Sequence, residues 1–184
     1  MTPEAFVHHP ELQGRIIDPM ASFARTLHIP ALVERLRSQG LPVHWIHDEA
    51  TREADRHATL AGRRDADLWV FAYGSLMWDP GFRFDALRRA HVPDHARRFI
   101  LRDIYGGRGT PEAPGLMAAL DRGPGCDGLL LRIPAEALEE ETAILWRRER
   151  IGRAYTAAFV TAHHTEGAVE ALTFVADHEA ELIA

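Results

Sequence analysis

The residues best placed to do chemistry begin at Phe71-Ala72-Tyr73-Gly74-Ser75-Leu76-Met77-Trp78-Asp79-Pro80, an apolar run that breaks abruptly at a glycine. Glycine lets the backbone turn and come close to a ligand, so successive N–H groups near Gly74, Ser75 and Leu76 can converge on an anion such as a substrate carboxylate. The same pattern also describes an ordinary strand-to-loop turn. Ser75 lies in Y-G-S-L and not in the G-x-S-x-G elbow of hydrolases, which fits binding through its backbone or hydroxyl better than nucleophilic attack.

Glu149 is the second candidate. The spacing from Leu138 through Leu145 to Glu149 puts this carboxylate on the apolar side of a helix, facing the core or a cleft. Desolvation raises a carboxylate's pKa toward values suited to taking and returning a proton near neutral pH. Arg148 and Arg150 would oppose that rise if they fold inward, and the plain alternative is a helix-end glutamate paired with them in solvent. A third segment, Gly106-Gly107-Arg108-Gly109-Thr110 followed by Pro114-Gly115-Leu116-Met117, reads as an active-site flap or a simple connection. It lacks the phosphate-loop pattern. Eleven histidines give chance pairs such as His44 and His47, without H-E-x-x-H or paired C-x-x-C, so no metal is expected. The single cysteine, Cys126, sits in a Gly/Pro-rich stretch with no nearby base and cannot form an internal disulfide.

Several elements must position these residues. Strands are expected over Leu68–Tyr73, Arg98–Tyr105 and Gly128–Ile133, and a β-hairpin joins Thr156–His163 to Ala168–Val175 around Thr165-Glu166-Gly167. One strong helix follows Pro134, with Glu139-Glu140-Glu141 in its first half and Arg147-Arg148 in its last turn, matching the helix dipole. The first 65 residues read as helices instead, one opening at Pro30 and stopping near Gly40, another over Glu49–Arg63. The expectation is an α+β fold, a small curled sheet or barrel spanning 66–184, with 1–65 as a helical extension packed onto it.

With 184 residues and 46% apolar content, the chain supports one core. It contains no apolar stretch of about 18 residues and opens without a basic-then-apolar leader, so a soluble protein of the reducing cytoplasm is expected. A net charge of −6 argues against general affinity for nucleic acid or anionic membrane. Arginines cluster at Arg97-Arg98, Arg147-Arg148 and Arg150. Most such residues are solvated or salt-bridged, while a minority use the planar guanidinium fork to hold a carboxylate.

Taken in order, Trp69 to Trp78, Arg98, Gly107-Arg108-Gly109-Thr110, Pro114-Gly115, Gly128 before a strand ending at Pro134, Leu145-Trp146-Arg147-Arg148-Glu149 and Tyr155 resemble the ChaC family of γ-glutamylcyclotransferases, in its bacterial branch. That resemblance implies a mixed α/β barrel in which the loop of Tyr73, Gly74, Ser75 and Leu76 cradles a γ-glutamyl group. It makes Glu149 the catalytic acid/base and adds Arg98 and Tyr155 to the substrate-binding set. It also implies glutathione as a small-molecule substrate, cleaved without a cofactor to 5-oxoproline and cysteinylglycine. Other readings are a cyclotransferase for γ-glutamylamines or γ-glutamyl amino acids, and a binder of such metabolites that does not turn them over. The chain departs from the family pattern at Leu131, where many members carry tyrosine, and at Gly152-Arg153-Ala154, where a glycine pair is usual. Bacterial members also continue beyond the position of Ala184 through a helical segment. If that segment closes the pocket, weakened or altered activity, or dependence on a partner, is expected here.

Overall fold

The computed structural model describes residues 3–104, 109–180 and 183. Among these are seven strands, β1 (Leu68–Ala72), β2 (Ala86–Val92), β3 (His95–Asp103), β4 (Gly115–Arg122), β5 (Cys126–Ile133), β6 (Tyr155–His164) and β7 (Gly167–Ala176). The helices are α1 (Phe23–Thr26), α2 (Ile29–Ser38), α3 (Glu49–Thr59) and α4 (Leu138–Glu149). None of the described helices is long and apolar enough to cross a membrane.

The strands close on themselves. β1 pairs antiparallel with β5, β5 with β2, β2 with β6, and β6 with β7; β7 then returns to β1 in parallel, through Val70 and Leu172. Five strands thus form a barrel, the mixed α+β architecture expected, and closure leaves these strands without an open edge. β4 runs parallel to β7 through Leu120 and Val175 and carries β3 as an outer antiparallel strand. On β1 and β5 alternate residues serve two apolar clusters, as a period of two requires. Leu68, Val70, Ala72, Leu129, Leu131 and Ile133 pack with Leu145 and Trp146 of α4, whereas Phe71, Tyr73 and Leu130 pack with Val160, Ala162 and Ala171.

Several boundaries differ from the sequence reading. β1 stops at Ala72 and α3 at Thr59, short of Tyr73 and Arg63, while β3 begins at His95 instead of Arg98. Tyr105, Gly106, Gly107 and Arg108, the expected strand end and most of the expected flap, lie outside the described residues. β2 and β4 went unrecognised. Cys126 opens β5 and is buried, which raises its thiol pKa.

The N-terminal segment attaches both through apolar side chains, with Ala5, Phe6, Leu12, Ile16 and Leu60 buried in the core cluster shared with β1, β5 and α4, and through charge. α3 is capped by Asp48, which accepts from the Thr51 N–H at 2.7 Å, and its two buried residues are Arg52 and Arg56. Arg56 Nη2 lies 2.6 Å from Glu53 and 2.5 Å from Glu139, and its Nη1 donates to Thr142 Oγ1 at 3.1 Å, fastening α3 to α4. Glu141, fully buried on α4, receives Arg25 Nη2 at 2.5 Å, the Arg83 backbone N–H at 2.7 Å and the Arg83 side chain. Gly81 lets α1 pass close by. Its φ is +73°, and a Cβ there would stand 2.7 Å from that of Ala24.

Candidate active site

A cavity of about 1020 Å³ opens where the C-terminal turn of α4, the turn after β1 and the N-terminal segment meet. Ser75, Trp78 and Asp79 come from the turn, Arg148 and Glu149 from α4, and Tyr155 from the start of β6. Asp103 and Met117 contribute from β3 and β4, while Phe23, Arg35 and Trp45 close the N-terminal side.

Glu149 is the last residue of α4, with 13% of its side chain exposed, so it faces the cavity rather than open solvent. Arg148 does fold inward. Its Nε lies 3.1 Å from Glu149 Oε1, its Nη2 donates to Ser75 Oγ at 3.0 Å, and its Nη1 donates to the Asp79 carbonyl. Asp79 Oδ1 is a further 3.8 Å away. One guanidinium therefore ties the glutamate to the turn after β1, a use of the planar fork that a lysine ammonium would not reproduce. From the other side, Asp55 on α3 accepts from Trp146 Nε1 at 2.7 Å and from Arg150 Nε at 3.0 Å. Arg150 also donates to the Tyr155 carbonyl. The residues flanking Glu149 on both sides are thus held by ion pairs, and its direction is set by the barrel and the N-terminal segment together.

The turn after β1 is a short 3₁₀ turn, Ser75–Met77, entered through Gly74. N–H groups opening such a turn have no partner within it, and the space beside Gly74 is open, with no atom within 4 Å of a Cβ built there. Leu76 is buried in the core, leaving its backbone as its means of reaching a ligand. Tyr73 is also buried, and its hydroxyl donates to the Phe174 carbonyl at 2.8 Å. Burial first, then the nearby Tyr155 and Glu149, push its pKa well above that of a free phenol, so it remains a neutral donor. Tyr155 lines the cavity, its hydroxyl donating to the Ala118 carbonyl at 2.9 Å.

Arg98 stands apart from this cavity. It donates to the Arg122 carbonyl at 3.3 and 3.2 Å on the exposed side of the β3–β4 pair. Its neighbour Arg97 reaches the Tyr73 carbonyl at 2.5 Å instead, because successive strand residues point to opposite faces. Sequence reasoning missed Asp103, Arg35 and Trp45, named Trp78 and Asp79 in the run after Tyr73 without giving them a site role, and left Arg148 only as an opponent of the glutamate's pKa rise. Adjacency to Glu149 was the available signal for Arg148, and closeness to Ser75 that for Trp78 and Asp79, whereas Asp103, Arg35 and Trp45 arrive through long-range packing. Among the described residues, Glu53, His57 and Glu139 bring potential metal-ligand atoms within 4.8 Å of one another, but the Arg56 guanidinium pairs with both carboxylates.

A family model described as ChaC-like protein matches residues 68–183. The chain is 39% identical over 128 residues to the glutathione-specific γ-glutamylcyclotransferase of Escherichia coli K12, covering 68% of this chain and 55% of that protein. It is 31% identical over 122 residues to glutathione-specific γ-glutamylcyclotransferase 1 of Homo sapiens, covering 62% and 54%. The chain thus spans about half the length of these relatives. The crystal structure of a yeast γ-glutamyl cyclotransferase specific to glutathione superposes with a TM-score of 0.55 at 21% identity, covering 64% of this chain and 72% of that one, a likeness of fold.

Proposed function

The chain belongs to the ChaC-like protein family, and we propose that it is a γ-glutamylcyclotransferase converting glutathione to 5-oxoproline and cysteinylglycine. The observation that carries this reading is the convergence of Glu149, the Ser75 turn and Tyr155 on one cavity within the matched region. In this reading residues 66–184 are the catalytic domain and 1–65 an extension packed on it, working in the cytoplasm, where a reduced thiol substrate persists.

The reaction is an intramolecular displacement. The substrate's α-amine attacks its own γ-carbonyl, a five-membered lactam closes, and the amide bond to the cysteine nitrogen breaks. Since both reacting groups belong to one molecule, selecting the reactive rotamer supplies much of the rate; well-oriented intramolecular reactions gain about 7–11 kcal/mol in this way. The N–H groups of Gly74, Ser75 and Leu76 hold the α-carboxylate, and Tyr155 borders the γ-glutamyl moiety. Tyr73 supports the loop from the core, and Arg98 braces the β3–β4 pair from outside the cavity. Glu149 takes a proton from the α-ammonium to free the attacking amine; as the lactam closes that nitrogen gives up a second proton, and one of the two returns through Glu149 to the departing nitrogen while the other ends on the released amine as its ammonium. Arg148 keeps the carboxylate and the loop in register. No redox or hydrolytic step occurs, and atoms balance without water.

The test is release of 5-oxoproline from glutathione by the purified protein and by Glu149→Gln, which preserves shape but cannot shuttle a proton. General acid–base catalysis is worth about 10²–10⁴-fold, and a loss of that size is expected. Equal release by both proteins would remove Glu149 from the mechanism; no release by either from glutathione, with γ-glutamyl amino acids and amines also intact, would leave binding without turnover as the better reading.

A further inference from the structure

The family match begins at residue 68, yet the cavity holding Glu149 takes a wall from residues before it, Phe23, Leu32, Arg35, Leu36, His44 and Trp45. Among the cationic residues bordering the cavity, Arg148 is committed to Ser75, Asp79 and Glu149. The other two are Arg35, from the last turn of α2, and Arg153, from the loop between α4 and β6. Both are exposed, and among the described residues neither enters an ion pair or a side-chain hydrogen bond. The segments carrying them are joined. Ile46 and Gly152 form an antiparallel bridge, and a Cβ on Gly152 would stand 2.5 Å from the Trp45 carbonyl, so the chain leaving α2 is seated directly against the loop that presents Arg153.

We infer that Arg35 and Arg153 form a subsite for the terminal carboxylate of the leaving peptide, so that the N-terminal segment selects which γ-glutamyl compound is cleaved. This rests on the proposed reaction, in which the γ-glutamyl end occupies the Ser75 turn and Glu149. Glutathione carries a second carboxylate at its far end, on glycine, and the partnered Arg148 leaves the two unpaired guanidinia to receive it. Guanidinium suits the task because its fork pairs with both carboxylate oxygens. Glu179 also borders the cavity and would repel an anion placed beside it. The subsite predicts preference for leaving groups ending in a free carboxylate over γ-glutamylamines, whose leaving groups have none.

The experiment measures binding, so it does not depend on turnover. Dissociation constants of the Glu149→Gln protein are measured by calorimetry for glutathione and for glutathione amidated at the glycine carboxyl. They are measured again after adding Arg35→Met and Arg153→Met, which keep the apolar stems. The amide is expected to bind about tenfold more weakly than glutathione, in line with a charge-assisted hydrogen bond at a partly exposed site. In the double-arginine variant the two ligands should bind alike, at the weaker level. Equal binding of acid and amide before the arginines are changed, a preference that survives their loss, or no binding of glutathione at all would each overturn the subsite. Release of 5-oxoproline by the wild-type protein, measured alongside, judges the reaction separately: turnover without acid–amide discrimination would remove the subsite and leave the reaction standing.

Discussion

Replacing Arg148 with methionine gives the sharpest test of how the site is held. The substitution keeps an unbranched stem but removes the bonds to Ser75 Oγ at 3.0 Å and the Asp79 carbonyl, and the ion pair with Glu149 at 3.1 Å. Stripping one partner from a buried ion pair costs about 3–5 kcal/mol. Asp79 and Glu149 keep 18% and 13% of their side chains exposed, so water relieves part of that, leaving about 2–3 kcal/mol. For a chain of this size each kcal/mol lowers Tm by about 2–4 °C, so a fall of about 4–12 °C is expected by thermal denaturation. The kinetic effect should be larger than this stability loss implies. With the tether gone, the carboxylate and the loop shift independently, and an ångström of misplacement costs about 10²-fold in kcat. The assay is 5-oxoproline release well below the variant's Tm, with kcat and KM determined separately. Arg148→Lys restores charge without the fork and should recover only part of kcat, staying about tenfold below wild type. A methionine variant within about threefold of wild-type kcat, with the Tm fall present, would make Arg148 a structural brace and refute the tether.

Other outcomes follow from the same geometry. Glu141→Ala leaves Arg25 and the Arg83 N–H without their buried acceptor; a loss of about 3–5 kcal/mol is expected, read as a Tm fall, and a fall of under 2 °C would mean that water replaces the carboxylate. Gly128→Ala places a Cβ 2.3 Å from the Ala72 carbonyl oxygen. That overlap is with backbone, so the urea midpoint should drop by the equivalent of about 1–3 kcal/mol, and an unchanged midpoint would show that β1 and β5 can separate without loss. Burial, followed by the positive charges of Arg150, Arg153 and Arg52, lowers the pKa of His47 below its ordinary 6.5. The unfolded chain then takes up a proton before the folded one, so stability falls as pH drops through 6.5 toward the folded value. The urea midpoint of His47→Gln should therefore change less between pH 7.5 and 5.5 than that of wild type, and parallel curves would count against this account.

Much of the barrel was legible where a strand is apolar on both faces or local chemistry is strong. β1 is almost wholly apolar, the β6–β7 hairpin carries glycine at its turn, and α4 orders its acidic and basic residues along the dipole. The strand β2 was hidden because Arg88, Arg89 and His91 interrupt Leu87, Ala90 and Val92, so alternation is visible only once the pairing with β5 is known. α3 inverts the usual pattern by turning arginines inward, and its partners Glu139 and Thr142 lie far along the chain, beyond any local periodicity. At the cavity, Glu149 and the Ser75 turn could be read from spacing and resemblance. The N-terminal wall could not, since Arg35 and Trp45 meet the barrel only through long-range contacts. Arg98 and Arg97 are adjacent in sequence, and strand direction alone separates the one that reaches the Tyr73 carbonyl from the one that does not.

The order in which the barrel closes bears on its synthesis. β7 contacts β6, β1 and β4, yet it is the last of the seven strands to leave the ribosome. Until residue 176 has emerged, β1 and β4 present unsatisfied edges to the cell, although they were made about 50–110 residues earlier, a span set by the strand positions. The nascent chain must therefore wait, guarded or transiently bridged, and its cavity takes shape as a late event of translation. Slowing elongation just before Gly167 should lengthen that vulnerable interval and lower the yield of folded protein, whereas a pause after Ala176 has emerged should be harmless.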